Sequence, residues 1–252
     1  MSECQWLHEQ LEGNLPLVAF PFELEQIPKT GGVYFFYEKG ESCGHGSDRP
    51  RIVRVGISGS VRQRIGHHFA DESKGSNCRM YLEFPDKPAY VRSSFRRDIG
   101  KVLLSQRKDD EFLDGWSKGY DKKAEWLQLR GRVWISKDKK LQQEITKIMR
   151  EKFTFRFICV DEKADRDKIE KRCTGTVAQC VLCQPSERWL GLQHPNPKTK
   201  RPKISEGKLW QVNNRSEKGI DDGTKTKVLK AITDTKKWLG SRSQLRIPIS
   251  QH

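Results

Sequence analysis

Gly32-Val33-Tyr34-Phe35-Phe36-Tyr37-Glu38 and, across residues 39–50, Arg51-Ile52-Val53-Arg54-Val55-Gly56-Ile57 decide the fold of this chain. Both stretches are dense in aromatic and β-branched side chains and are bounded by Gly, Pro or charged turn residues, the signature of strands. Gly40, Gly44, Gly46 and Pro50 in the connection predict a long, mobile hairpin loop rather than a two-residue turn. Directly afterwards, Ser60 is placed to cap a helix with Val61, Ile65 and Phe69 on one face. The local order is therefore strand, strand, helix.

Working outward, a second helix is expected over Ser94–Leu104, with Phe95, Ile99 and Val102/Leu103 inward and Arg96 and Arg97 outside. Residues 105–131 are polar and turn-rich and read as inserted sequence. A helix over Leu141–Lys152 precedes a third strand, Phe153–Val160, whose Phe153, Phe155 and Phe157 are core positions rather than a base-stacking surface. Asp165 is the expected cap of a helix burying Ile169, Cys173, Val177 and Val181. The pattern predicts an α+β protein: a small antiparallel three-stranded sheet flanked by helices. Residues 1–27 form an N-terminal extension and 28–185 the core, with an insertion at about 70–140. Residues 186–252 form a basic C-terminal appendage, in which the spacing of Val228, Ile232 and Trp238/Leu239 predicts a helix over Thr224–Leu239.

Charge points to the partner. The 252 residues carry a formal charge of +15. Residues 1–50 hold 3 basic and 8 acidic side chains, which leaves 45 against 25 for the rest, a net +20. Residues 198–246 alone hold 14 basic and 5 acidic side chains. Such an excess suits a polyanion, because each neutralised phosphate releases condensed counterions. No apolar run reaches the roughly 20 residues of a membrane span, and the N-terminus lacks the blocks of a signal peptide. Seven scattered cysteines do not suggest a disulfide framework, so a reducing, cytoplasmic setting is expected.

Hydrolysis of a phosphodiester needs a base for the attacking water, a cation for charge growing on phosphoryl oxygens, and usually a carboxylate-held metal. Tyr34 on the first strand, Arg64 and His68 four apart on the following helix, and Glu170 on the helix after the third strand offer such groups at the border of the core. His67 is the competing imidazole; Glu144, Glu151 and Glu162 are the competing carboxylates. Cys180-x-x-Cys183 with Cys173 and His194 invites a zinc reading, but the spacing is irregular and Cys173 lies on the apolar stripe, so buried free thiols are expected.

Gly32-Val33-Tyr34, Arg54-Val55-Gly56, Arg64 eight positions after that glycine, His68, and Glu170 beyond the third strand together resemble the GIY-YIG nuclease superfamily over roughly residues 28–185. The resemblance implies a metal-dependent endonuclease with Mg²⁺ or Mn²⁺ as cofactor. Tyr34 would be the general base or water-positioning phenol, Arg64 the phosphate clamp, His68 its neighbour in the proton path and Glu170 the metal ligand. DNA is the expected partner and RNA the alternative, with Arg54, Arg62, Arg96, Arg97 and Asn213 as candidate nucleic-acid contacts; Trp210 and Asn214 could add stacking and amide contacts to bases. The chain departs from the family where Arg54 occupies the usual second-motif tyrosine, where Ile57 replaces a frequent lysine, and in its longer spacer between motifs. On those grounds a nucleic-acid-binding module that has lost cutting is the rival reading. Arg54 itself is expected on the strand face opposite Val53, Val55 and Ile57.

Overall fold

The two quoted strands are the middle and one edge of an antiparallel sheet. The structure, a computed structural model, describes residues 1–46, 49–69, 93–117, 126–127, 129–195 and 204–241. Strand β1 (Val18–Ala19), β2 (Gly32–Ser42), β3 (Pro50–Ser58) and β4 (Phe153–Cys159) lie in the order β1-β4-β2-β3. The sheet is α+β in class, as expected, with four strands rather than three. The added strand has only two residues, too few to leave a periodic signal, yet Val18 pairs with Phe155 and Ala19 with Thr154.

Residues 33–37 are all buried although their side chains alternate, because both sheet faces are covered. On one face Tyr34, Phe36, Phe155 and Phe157 pack with helices α2 (Val61–Phe69), α3 (Ser94–Gln106), the short α4 (Asp110–Trp116) and α5 (Arg132–Lys152). On the other, Val33, Phe35, Tyr37 and Ile158 pack with α1 (Glu3–Asn14), α6 (Lys163–Gln179) and α7 (Asp222–Gly240). Burying one Phe or Leu side chain contributes about 1.5–3 kcal/mol, so a sheet coated on both sides is stabilised chiefly by its faces.

Several expectations change on this frame. Of the insertion expected at about 70–140, residues 70–92 and 118–125 lie outside the described residues. Within 105–131, Phe112 and Trp116 of α4 are buried, and Phe112 stacks on Trp134 of α5 at 5.2 Å, so this polar-looking stretch carries its own aromatic cluster. Helix α6 starts at Lys163 after Glu162; Asp165 lies in its first turn, paired with Lys227 of α7, instead of capping it. The helix stops at Gln179, which leaves Val181 exposed.

Residues 1–27 and 204–241 pack into the same core as 28–185. Leu7 and Leu11 of α1 and Val228 and Ile232 of α7 fill one face, while Trp210 fills the other. Residues 208–211 also run along the open edge of β3. Trp210 N–H donates to Val53 O at 2.8 Å, and Val55 N–H donates to the Gln211 side chain at 2.9 Å. A sheet edge left unpaired is a template for aggregation, and this segment closes it. At its start Arg51, fully buried, donates twice to Glu41 and once to Lys208 O, and Glu41 also accepts the Ser186 N–H. Residues 198–203 and 242–246 of the basic stretch lie outside the described residues.

Candidate active site

Strand β2 and helix α2 bring Tyr34 and His68 together. Tyr34 pairs across the sheet with Gly56 of β3. A Cβ on Gly56 would lie 2.4 Å from the Tyr34 hydroxyl oxygen and 2.5 Å from Cζ, so the phenol lies flat over the glycine backbone. That is the physical reason for a glycine at the second motif. The Tyr34 hydroxyl is 3.2 Å from His68 Nε2, and His68 Nδ1 is 2.8 Å from Ser93 Oγ. Ser93 Oγ also accepts the Arg96 N–H at 3.1 Å, capping α3. The start of α3 thereby fixes the imidazole from behind. Phe36 and Phe95 meet the His68 ring edge-on at 5.2 and 5.9 Å.

His68 is buried, and burial drives its pKa well below the ordinary imidazole value; the charges of Arg54, Arg64, His67 and Arg96 push the same way. The ring is thus neutral at physiological pH, with one nitrogen free to accept a hydrogen bond.

Arg54 lies on the Tyr34 side of the sheet, opposite Phe36 and with its guanidinium 5.1 Å from the centre of the Phe95 ring. Val53 belongs to that side too, contrary to simple alternation. Phe36 pairs with Arg54 and Tyr37 with Ile52, so Val53 is the extra residue of a β-bulge, which keeps two neighbours on one face. Arg54 donates to Trp210 O and, at 3.0 Å, to Ser94 Oγ. Its charge acts on both His68 and Glu170, lowering the pKa of each.

Glu170 projects from α6, whose Ile169 and Cys173 are buried against the sheet. Burial raises the Glu170 pKa above the usual carboxylate value, against the hydrogen bond from Asn214 Nδ2 and the charge of Arg54. Asn214 adopts a left-handed backbone, φ 63°, a conformation asparagine tolerates better than most residues. Gln211 ties the two supports together, accepting from β3 and donating to Thr174 of α6 at 3.0 Å. A lone, half-buried carboxylate on a firm helix is a hard oxygen donor, and with water and phosphate oxygens it suits Mg²⁺ or Mn²⁺. Among the described residues, the groups of three or more close metal-ligating side chains consist of Cys and His and lie elsewhere.

A family model for the GIY-YIG domain matches residues 4–238. The chain belongs to the GIY-YIG nuclease superfamily. No curated protein and no solved structure matches it. The match takes in both α1 and α7, in keeping with their place in one core.

Within this GIY-YIG domain the other expected contacts fall unevenly. Arg64 lies half-buried on α2 beside His68, on whose pKa its charge acts. Arg62 donates to Ile27 O at 2.8 Å and Glu25 O at 3.1 Å, which fastens the preceding turn to α2. Arg96, expected outside, is buried, donating to His68 O, Gln142 and Thr146. The reason is that α3 is covered on that side by α5. Arg97 is half-buried and Asn213 exposed. Trp210, weighed as a stacking residue, is fully buried against Phe95 and Trp189, with Nε1 donating to Glu38 at 2.9 Å. Sequence reasoning missed Ser93; its signal was a serine immediately before the predicted helix start at Ser94.

Proposed function

We propose that this GIY-YIG protein is a divalent-metal-dependent endonuclease acting on DNA, with Tyr34 as general base. The hydrogen bond between Tyr34 and a neutral, buried His68 carries the reading. With the imidazole hydrogen on Nδ1 and donated to Ser93, Nε2 accepts the hydrogen bond of the Tyr34 hydroxyl, whose proton moves to Nε2 only as the tyrosine oxygen takes one from the attacking water. Tyr34 thus acts as general base without a free phenolate–imidazolium pair. Arg64 and Arg54 hold phosphate oxygens and balance the charge that builds on them. Glu170 would hold Mg²⁺ or Mn²⁺, which when bound supplies Lewis-acid stabilisation of the leaving oxygen. The net +20 after residue 50 supports a backbone-directed, salt-sensitive hold on nucleic acid. Arg97 and Asn213 are further contacts in this reading.

No described helix is long and apolar enough to cross a membrane. The six described cysteines form no disulfide among themselves, which supports a reducing, cytoplasmic setting.

The second reading, a module that binds without cutting, is favoured by one observation: Arg54 stands at the family's tyrosine position and is engaged with Trp210 O and Ser94. Supercoiled and linear DNA, with parallel RNA, incubated with purified protein and Mg²⁺, Mn²⁺ or chelator, separates the two. Metal-dependent nicking that Tyr34→Phe lowers by about 10²–10⁴-fold with binding retained is the expected result. Binding with no cleavage of any substrate, or unimpaired cleavage by Tyr34→Phe, overturns it.

A further inference from the structure

Away from the tyrosine, three segments far apart in sequence converge on one point. Cys4 lies in the first turn of α1, His45 in the loop between β2 and β3, and Cys180 and Cys183 just past the end of α6. Their three sulfurs and one ring nitrogen all lie within 4.8 Å of one another. Cys4 Sγ is 3.5 Å from Cys183 Sγ, and His45 Nε2 is 3.1 Å from Cys180 Sγ.

A tetrahedral zinc with Zn–S near 2.3 Å and Zn–N near 2.0–2.1 Å sets its ligand atoms about 3.5–3.8 Å apart. The Cys4–Cys183 separation is close to that, the His45–Cys180 pair is a few tenths of an ångström shorter, and all the ligand atoms lie within 4.8 Å of one another. We propose that Cys4, His45, Cys180 and Cys183 bind one Zn²⁺ in a closed Cys₃His structural site.

Three observations beyond proximity support it. The loops that carry the ligands are locked: Gly44 N–H donates to Leu182 O at 2.8 Å, and Cys43 N–H to Arg49 O at 2.8 Å. A Cβ on Gly44 would come within 2.9 Å of that same Leu182 oxygen, so the approach of the two loops requires glycine there. Arg49 in turn pairs with Glu12 of α1 at 2.8 Å, which holds the hairpin loop to the helix bearing Cys4. Lastly, buried His8 sets Nε2 3.7 Å from Cys183 Sγ and Nδ1 3.7 Å from Glu12. A ligating sulfur that takes a hydrogen bond from a buried histidine has the kind of outer support metal sites use.

Four protein ligands leave no open position, so the ion is structural rather than catalytic. It would staple the N-terminus, the β2–β3 loop and the end of α6, the helix that carries Glu170, and it is independent of whether the protein cuts DNA. Softness of the donor set selects zinc over the hard ion assigned to Glu170.

The test uses the full chain, purified reduced and free of added chelator. Elemental analysis should give one zinc per chain. Replacement by Co²⁺ should give the intense visible bands of a tetrahedral thiolate site. Cys180→Ser and His45→Ala should each lower zinc content at least several-fold, whereas Cys173→Ser, a buried thiol outside the cluster, should not. Zinc-free wild-type protein that gives no tetrahedral cobalt spectrum overturns the proposal without recourse to any variant. So does a Cys4–Cys183 disulfide in the protein as isolated from the cytoplasm. Full metal in His45→Ala with loss in His8→Ala overturns the ligand assignment.

Discussion

Replacing Gly56 by alanine tests whether the tyrosine hydroxyl must sit where the fold places it. An added Cβ would stand 2.4–2.7 Å from the Tyr34 hydroxyl, Cζ and Cε2. Ordinary contact begins near 3.4 Å, so the ring must retreat by about 1 Å, the order of misplacement that costs about 10²-fold in rate. The ring cannot retreat freely, since Phe36 meets it at 5.7 Å and His68 at 5.4 Å. Overpacking of this kind should also lower stability by about 1–3 kcal/mol. The assay is nicking of supercoiled DNA under Mg²⁺ alongside urea unfolding, run on wild type, Gly56→Ala, Tyr34→Phe and the double variant. Gly56→Ala should lose about 10²-fold in cleavage. Added to Tyr34→Phe it should lose little more, while still costing stability, because both changes act on cleavage through one hydroxyl. Wild-type cleavage by a folded Gly56→Ala, or losses that multiply in the double variant, would refute the reasoning.

Glu170→Gln should abolish metal-dependent cutting and leave DNA affinity equal or higher, whereas Glu162→Gln, on the residue just before α6, should cut normally; titrating Mg²⁺ against cleavage checks both, and the reverse pattern places the metal elsewhere. Arg51→Met leaves Glu41 buried without its guanidinium and should cost about 3–5 kcal/mol in urea unfolding; a loss below about 1 kcal/mol, the scale of an exposed pair, would mean that the ion pair is not buried in solution. His68 has a folded pKa depressed below an unfolded value near 6.5. The unfolded state therefore binds the extra proton, and stability present above about pH 6.5 is lost as pH falls below it, by up to about 1.4 kcal/mol per pH unit. His68→Gln should lose less stability than wild type between pH 6.5 and 5, and identical pH profiles would count against a neutral imidazole.

The sequence by itself carried the local signals. Alternation and aromatic density marked β2, β3 and β4, and a four-residue spacing placed Arg64 and His68 on one helix flank. These features depend on a few consecutive residues, so a one-dimensional reading reaches them. The family motifs needed no more than that, and Tyr34 and His68 do meet. What only the tertiary structure decided depends on how distant segments close on one another. Val53 joins Arg54 on the tyrosine face because a bulge interrupts alternation, and a bulge is a property of two paired strands, not of one. Arg96 looked like a surface cation from its own helix, but its surroundings are set by α5, some forty residues on. Trp210 and Gln211 read as part of a basic tail, yet they seal the edge of a strand more than 150 residues earlier. The cysteines were scattered for the same reason. Irregular spacing of Cys173 and His194 about Cys180 and Cys183 argued for buried free thiols, while chain closure brings Cys4 and His45 to Cys180 and Cys183 instead. Side chains that meet across a fold leave no period in the sequence, because the distance between them along the chain is set by loops whose length costs little free energy to change.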